Sequence, residues 1–127
     1  MNLVRTSSTE LSTTFSIKHQ TKPRLAVLDI SKILNPVDLE LPDHHDWYYF
    51  NRIQIPSTFI PQNASILLYQ AMCEYADLRR INIYNEIIPY TNSLLNRRKL
   101  KKFESLFGFR SFKDLKYTTV RYCKPLD

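Results

Sequence analysis

The spacing of apolar residues changes along this chain, and the change dictates which elements it can build. TTFSIKH, 13–19, alternates Phe15 and Ile17 with polar neighbours, the period-two pattern of a half-buried strand. RLAVLDISKIL, 24–34, is largely apolar on both faces, with Leu25, Val27 and Asp29 on one and Ala26, Leu28 and Ile30 on the other, as in a strand covered on both sides. The short QTKP turn between them makes the pair a hairpin. WYYFNRIQI, 47–55, reads as a strand by its aromatic and β-branched content and stops at Pro56. Then the period lengthens. Over 64–80, Leu67, Leu68, Ala71, Met72, Tyr75 and Leu78 recur at three-to-four spacing, which predicts a helix buried along those residues. Asn63 is its candidate N-cap, and Arg79 and Arg80 suit its C-terminal dipole end. INIYNEII, 81–88, is again a strand, ended by Pro89. NRRKLKKFESLF, 96–107, gives a second helix striped by Leu100, Phe103 and Phe107, and YTTVRYCKPL, 117–126, gives a closing strand. The first dozen residues read as a weak strand, and NPVDLELPDHHD, 35–46, as an exposed acidic loop.

The order β-β-β-α-β-α-β predicts an α/β (α+β) fold with one mixed central sheet. Its N-terminal strands are antiparallel, and βαβ crossovers follow, the one from 47–55 to 81–88 right-handed. Residues 1–127 are expected to form a single domain, long enough for one core. No apolar run approaches the roughly eighteen residues of a membrane span, and MNLVRTSSTELSTTF lacks the apolar stretch of a signal peptide, so no membrane partner and a cytoplasmic location are expected. Cys73 and Cys123 are unclustered and read as small core residues. Strands 13–19 and 117–126 are candidate sheet edges, where a second copy could pair.

A formal net charge of +6 favours an anionic partner. The charge is concentrated in NRRKLKK, 96–102, where five of seven residues are basic. Arg97, Arg98, Lys101 and Lys102 could meet a phosphate or an acidic macromolecule, or form a solvated helix face. With Trp47, Tyr48 and Tyr49 as stacking surfaces the chain could bind nucleic acid, although no nucleic-acid signature accompanies them, so this is not favoured. DHHD, 43–46, holds metal-ligand residue types but no third ligand at suitable spacing, and no metal is expected. The chain has a single glycine, Gly108, at the end of the second helical pattern. There a left-handed residue ends a helix without a Cβ penalty, and Phe109 can fold back on the apolar stripe.

The C-terminal part carries a family resemblance. RIQIP, 52–56, then SILLYQAMCEYAD, 65–77, then INIYNEIIPYTN, 81–92, then KLKKFESLFGF, 99–109, and a closing TTVRYCKPL resemble the GNAT (Gcn5-related N-acetyltransferase) pattern over residues 47–126. The interval from Pro56 to Leu67–Leu68 matches the family's without a gap. The resemblance implies that acetyl-CoA lies in a V-shaped gap between strands 47–55 and 81–88, and that an unknown amine acceptor attacks its thioester. It implies cofactor contacts at Ile53, Ile55, Gln62, Asn63, Ala64, Ser65 and Asn92, with backbone N–H groups near Ile53–Ile55 polarising the thioester carbonyl.

The pattern also departs from the family. In FIPQNA, 59–64, in register with the family's R-x-x-G-x-G/A turn, Phe59 and Gln62 replace the Arg and first Gly, Pro61 removes a donor, and only Ala64 keeps a small residue. Weakened cofactor binding is the expectation. Glu104 stands where the family commonly has a Tyr that resembles a general acid, a task a Glu performs only if burial raises its pKa. Tyr90 or Tyr84 are geometric substitutes, and Glu86 is a candidate base for the amine. The alternative is a catalytically inactive GNAT-fold protein, of viral or mobile-element type, that binds a macromolecular partner.

Overall fold

Strand alternation at the N-terminus becomes a meander. In the computed structural model, which describes residues 4–18, 25–42, 45–55, 64–87 and 94–125, with backbone alone at 94–97, β1 (Val4–Ser8), β2 (Ser12–Lys18), β3 (Leu25–Lys32) and β4 (Asp46–Gln54) pair antiparallel in sequence order. Helix α1 (Ala64–Arg79) leads to β5 (Ile81–Glu86), which runs parallel to β4, as the crossover requires. Helix α2 (Leu94–Ser105) is followed by the two-residue β6 (Arg110–Ser111) and by β7 (Thr118–Arg121). The result is one seven-stranded mixed sheet in the order β1-β2-β3-β4-β5-β7-β6, an α+β architecture with two helices among the described residues.

The second crossover does not produce a parallel pair. The intervening β6 reverses the chain, and β7 enters antiparallel between β5 and β6. The sheet edges are therefore β1 and β6, while 13–18 and 118–121 are interior strands, so neither predicted edge is free to pair with a second copy.

One core lies under the helices. Phe15, Ile17, Ala26, Leu28, Ile30, Tyr48, Ile81 and Ile83 point to Leu68, Tyr69, Met72, Cys73 and Ala76 of α1. A second cluster of Ile33, Leu41, Trp47, Tyr84, Phe112 and Val120 covers the opposite face from β4 to β7. That second cover does not reach β3 fully: Leu25 is 43% exposed and Asp29 pairs with Arg52, so β3 is buried on one face only. The loop at 35–46 is less open than its composition suggests, because a 3₁₀ turn at Pro36–Leu39 carries Leu41 into the second cluster.

Helix α1 is rotated from its predicted stripe. Tyr69, Cys73 and Ala76 are buried, Leu67, Ala71 and Tyr75 only border the core, and Leu78 is 79% exposed. The displaced face packs on α2, where the Tyr69 ring meets Phe103 at 4.9 Å and Phe107 at 5.2 Å. Cys73 is buried as expected, whereas Cys123 lies half-buried beyond the end of β7. Gly108 closes α2 with φ +91°. Its N–H reaches Ser105 O at 3.3 Å, and Phe109 N–H reaches Glu104 O at 3.2 Å, the paired bonds of a Schellman cap. Phe109 then folds into the core against Tyr69.

Candidate functional site

The parallel pair β4–β5 holds only from Asp46–Ile81 to Tyr49–Tyr84. Strand β4 continues to Gln54 and β5 to Glu86 without further ladder pairs between them. Strand β4 also bulges. Ile30 faces Phe50 and Asp29 faces Arg52, which leaves Asn51 as an extra residue. Such a bulge bends the strand and sharpens its twist. Asn51 and Arg52 both reach β3 groups, Ser31 at 3.0 Å and Asp29 at 2.5 Å, while Ile53 returns to the helix face. The two strands part at Tyr49 and Tyr84, leaving the β5-facing backbone of 50–54 without a strand partner among the described residues.

A cleft of about 350 Å³ occupies the helix face of this parting, lined by Ile53, Ser65, Tyr69, Lys99, Leu100 and Phe103. It joins β4 to the first turn of α1, whose amide groups lack intrahelical partners and favour an anion, and to α2, which contributes Lys99. A larger groove of about 780 Å³ lies between β1 and α1, but no β4 or β5 residue lines it. Of the two, the smaller cleft is the better site because it adjoins the unpaired backbone.

The predicted cofactor residues divide. Ile53 and Ser65 line the cleft. Ile55 and Ala64 instead pack on the core, and Ala64 is only 1% exposed at the start of α1. A charge placed at Ala64 would therefore disrupt the core as well as any ligand. Gln62, Asn63, Tyr90 and Asn92, with the rest of the 56–63 turn, lie outside the described residues. On the basic helix, Arg98 and Lys102 are exposed and Lys101 donates to Lys116 O at 3.0 Å; the Arg97 side chain and residues Asp43 and His44 are also outside the description. Among the described residues no group of three or more metal-ligating side chains occurs.

The predicted acid and base are on opposite faces. Glu86, at the end of β5, is exposed and accepts a hydrogen bond from the Tyr84 hydroxyl at 2.9 Å. Burial, then that bond, pushes the Tyr84 hydroxyl up to about 12. Tyr84 also packs edge-on against Tyr49 at 5.7 Å, so these groups flank the parting on the face away from the helices.

Glu104 is fully buried on the helix face. Its Oε2 accepts from Asn85 Nδ2 at 2.7 Å and from the Tyr69 hydroxyl at 3.1 Å, and its Oε1 accepts from the Thr119 hydroxyl at 2.8 Å. Burial raises its pKa above the ordinary carboxylate value, and the three hydrogen bonds and nearby Lys101 offset this only in part. Asn85 is the first β5 residue past the last β4–β5 pair, so this cluster stands at the apex of the parting.

The partners of Glu104 were not legible from the sequence, since they lie 15, 19 and 35 residues away. One local signal existed. Leu100, Phe103, Glu104 and Phe107 fall at i, i+3, i+4 and i+7, so Glu104 occupies a core position of the helix. No protein-family model, curated protein or solved structure matches this chain.

Proposed function

We propose that this protein is a GNAT-like N-acetyltransferase that moves the acetyl group of acetyl-CoA to an amine. The observation that carries the proposal is the parting of β4 from β5 beside the cleft. Strand backbone that has lost its neighbour needs another hydrogen-bonding partner, and an extended ligand with amide groups, such as the pantetheine arm of CoA, supplies one by adding to the exposed strand edge. The apolar wall of Ile53, Leu100 and Phe103 suits the arm, and the first turn of α1 with Lys99 suits its phosphates. Backbone N–H groups near Ile53–Ile55 would polarise the thioester carbonyl. The acceptor enters from the opposite face, where Glu86 takes a proton from the ammonium through water. The free amine then attacks the carbonyl carbon, a C–N bond forms, and the C–S bond breaks as the nitrogen loses its second proton to water and the leaving thiolate takes one up to give CoA.

The sheet order, with its single parallel pair among the described strands, and the pattern of residues 47–126 support the same reading. Calorimetric titration with acetyl-CoA at low and moderate salt tests it, with Ser65→Glu as the comparison. Ser65 lines the cleft and is only half-buried, so a carboxylate there repels phosphate without filling the core. Micromolar binding that survives salt and is lost in Ser65→Glu is expected. Absence of binding at millimolar CoA would overturn the proposal and turn the search to an acidic macromolecular partner of Arg98, Lys101 and Lys102.

A further inference from the structure

We propose that β1 is a pairing edge, at which a second copy of this chain adds its own β1 antiparallel across a two-fold axis at Thr6. β1 is one edge of the sheet, and the other, β6, is only two residues long. Edge strands are normally blunted by a proline, a lysine, a bulge or a covering element. β1, VRTSS, contains no proline or lysine, and its ladder with β2 runs unbroken from Val4–Ile17 to Ser8–Thr13. All of it but Val4 is exposed.

The hairpin fixes which backbone groups face outward. The Thr9 N–H donates to Ser12 O at 2.8 Å, so Thr9 and Ser12 form a hydrogen-bonded pair. Such pairs alternate along an antiparallel ladder. Arg5 and Ser7 therefore turn their N–H and C=O groups to β2, and Val4, Thr6 and Ser8 turn theirs to the open edge. The side chains of these last three line a groove of about 780 Å³, whose other wall is α1 with Leu67, Ala71 and Leu78. Leu78, 79% exposed, is the least covered of them.

β1 is complementary to itself. In the register centred on Thr6, Val4 faces the partner's Ser8, Thr6 the partner's Thr6, and Ser8 the partner's Val4. Each of these three residues on both strands then donates one bond and accepts one, six bonds in all, and no open-edge group is left over. Arg5 meets the partner's Ser7, so no like charges are opposed. The neighbouring registers are poorer. One centred on Arg5 sets Arg5 against the partner's Arg5 in a close pair, where like charges destabilise. One centred on Ser7 puts Val4 opposite the partner's Glu10, in the hairpin turn, and keeps four bonds. The groove beside the joint carries one acid and one base, Glu74 and Arg79, and the basic run of α2 contributes nothing to it. Two copies therefore meet here without the repulsion that a net charge of +6 would otherwise impose. No residue of the cleft takes part, so pairing and CoA binding are read separately.

Sedimentation equilibrium of the full chain from about 1 μM to about 1 mM tests the pairing, since a joint of two five-residue strands belongs to the weak class of interfaces. The mass should rise from 15.1 kDa toward twice that value. Thr6→Pro removes an outward N–H and leaves the β1–β2 ladder whole. Its urea unfolding should match the wild type while the dimer weakens about tenfold, the worth of two lost bonds. Thr6→Lys opposes two ammonium groups at the axis and should weaken the dimer too, which keeps the test sound if proline unsettles β1. Ser7→Glu places a carboxylate opposite the partner's Arg5 and should tighten the dimer about threefold. Loosening by Ser7→Glu would overturn the Thr6 register, because two carboxylates meet when the axis lies at Ser7. A wild-type protein that stays at 15.1 kDa throughout overturns the proposal and leaves the edge to an extended segment of another protein. So does a folded Thr6→Pro that dimerises as the wild type does, since the contact then lies elsewhere.

Discussion

Among the described residues one basic and one carboxylic side chain are buried on the helix face, Arg121 and Glu104, and the fold treats them in opposite ways. Arg121 is met by an opposite charge. Its guanidinium makes two parallel bonds to Asp77 at 2.9 and 3.1 Å, and its Nε donates to Phe107 O, so each of its three nitrogens has an acceptor. Burial works against the Asp77 carboxylate, but bonds from Arg121 and from the Lys124 N–H outweigh it, and Asp77 titrates below its ordinary value. Glu104 receives only neutral donors, and burial prevails. A charge countered in place locks the end of α1 to β7 and to the turn after α2. A carboxyl left without a counter-charge can gain and lose a proton, and it is the one beside the strand parting.

Removing one partner from the first pair is the harshest test of this contrast. Asp77→Ala leaves a buried guanidinium unpaired and should cost about 3 kcal/mol in urea unfolding. A loss no larger than that of an exposed ion pair would mean that Arg121 finds water. Next comes the cap that brings Phe107 O to Arg121. Gly108→Ala meets no clash, since the nearest atom to an added Cβ is Arg121 Nε at 3.7 Å, so its cost is that of holding φ near +91°. About 1–2 kcal/mol is expected, and a neutral outcome would show that the turn relaxes.

The pH dependence separates the pairs by sign. Glu104 has a raised folded pKa, so the native state holds a proton the unfolded chain releases; its contribution is full below the ordinary carboxylate range and is lost as pH rises through the raised value. The slope is at most about 1.4 kcal/mol per pH unit for one group, and Glu104→Gln should flatten it. Asp77 is depressed, so its contribution is full above the ordinary range and is lost as pH falls through its folded value. Equal slopes in wild type and Glu104→Gln would place Glu104 with the permanently charged groups. The smallest effect is expected at the surface. Reversing Arg98 and Lys102 to Glu should change stability by less than about 0.5 kcal/mol while lowering CoA affinity more at low salt than at moderate salt. A loss of folding would show that the basic helix face is not merely solvated.

Much of the strand and helix order could be read directly, because each element keeps a local period: Phe15 and Ile17 for β2, Leu100, Phe103 and Phe107 for α2. The cap at Gly108 was legible for the same reason, since a left-handed helix end is a property of a few consecutive residues. Errors came where a partner outranked local spacing. Leu78 fits the apolar stripe of α1 yet is exposed, because α2 covers the Tyr69 side of the helix instead. The candidate site was legible only in part. Glu86, Glu104, Ile53 and Ser65 were singled out, but Tyr69 and Asn85 were not, since neither has a local feature that sets it apart.

What this sequence determined alone was the longer elements and their order, though not β6 or the 3₁₀ turn, together with a core position open to Glu104, because these follow from which side chains repeat on one face. Tertiary structure decided the rest. It chose where the β4–β5 ladder stops, placed β7 inside the sheet rather than at its edge, and brought Tyr69, Asn85 and Thr119 to one carboxyl. Those outcomes depend on groups far apart in the chain competing for the same space and the same hydrogen bonds, and no local period encodes the winner.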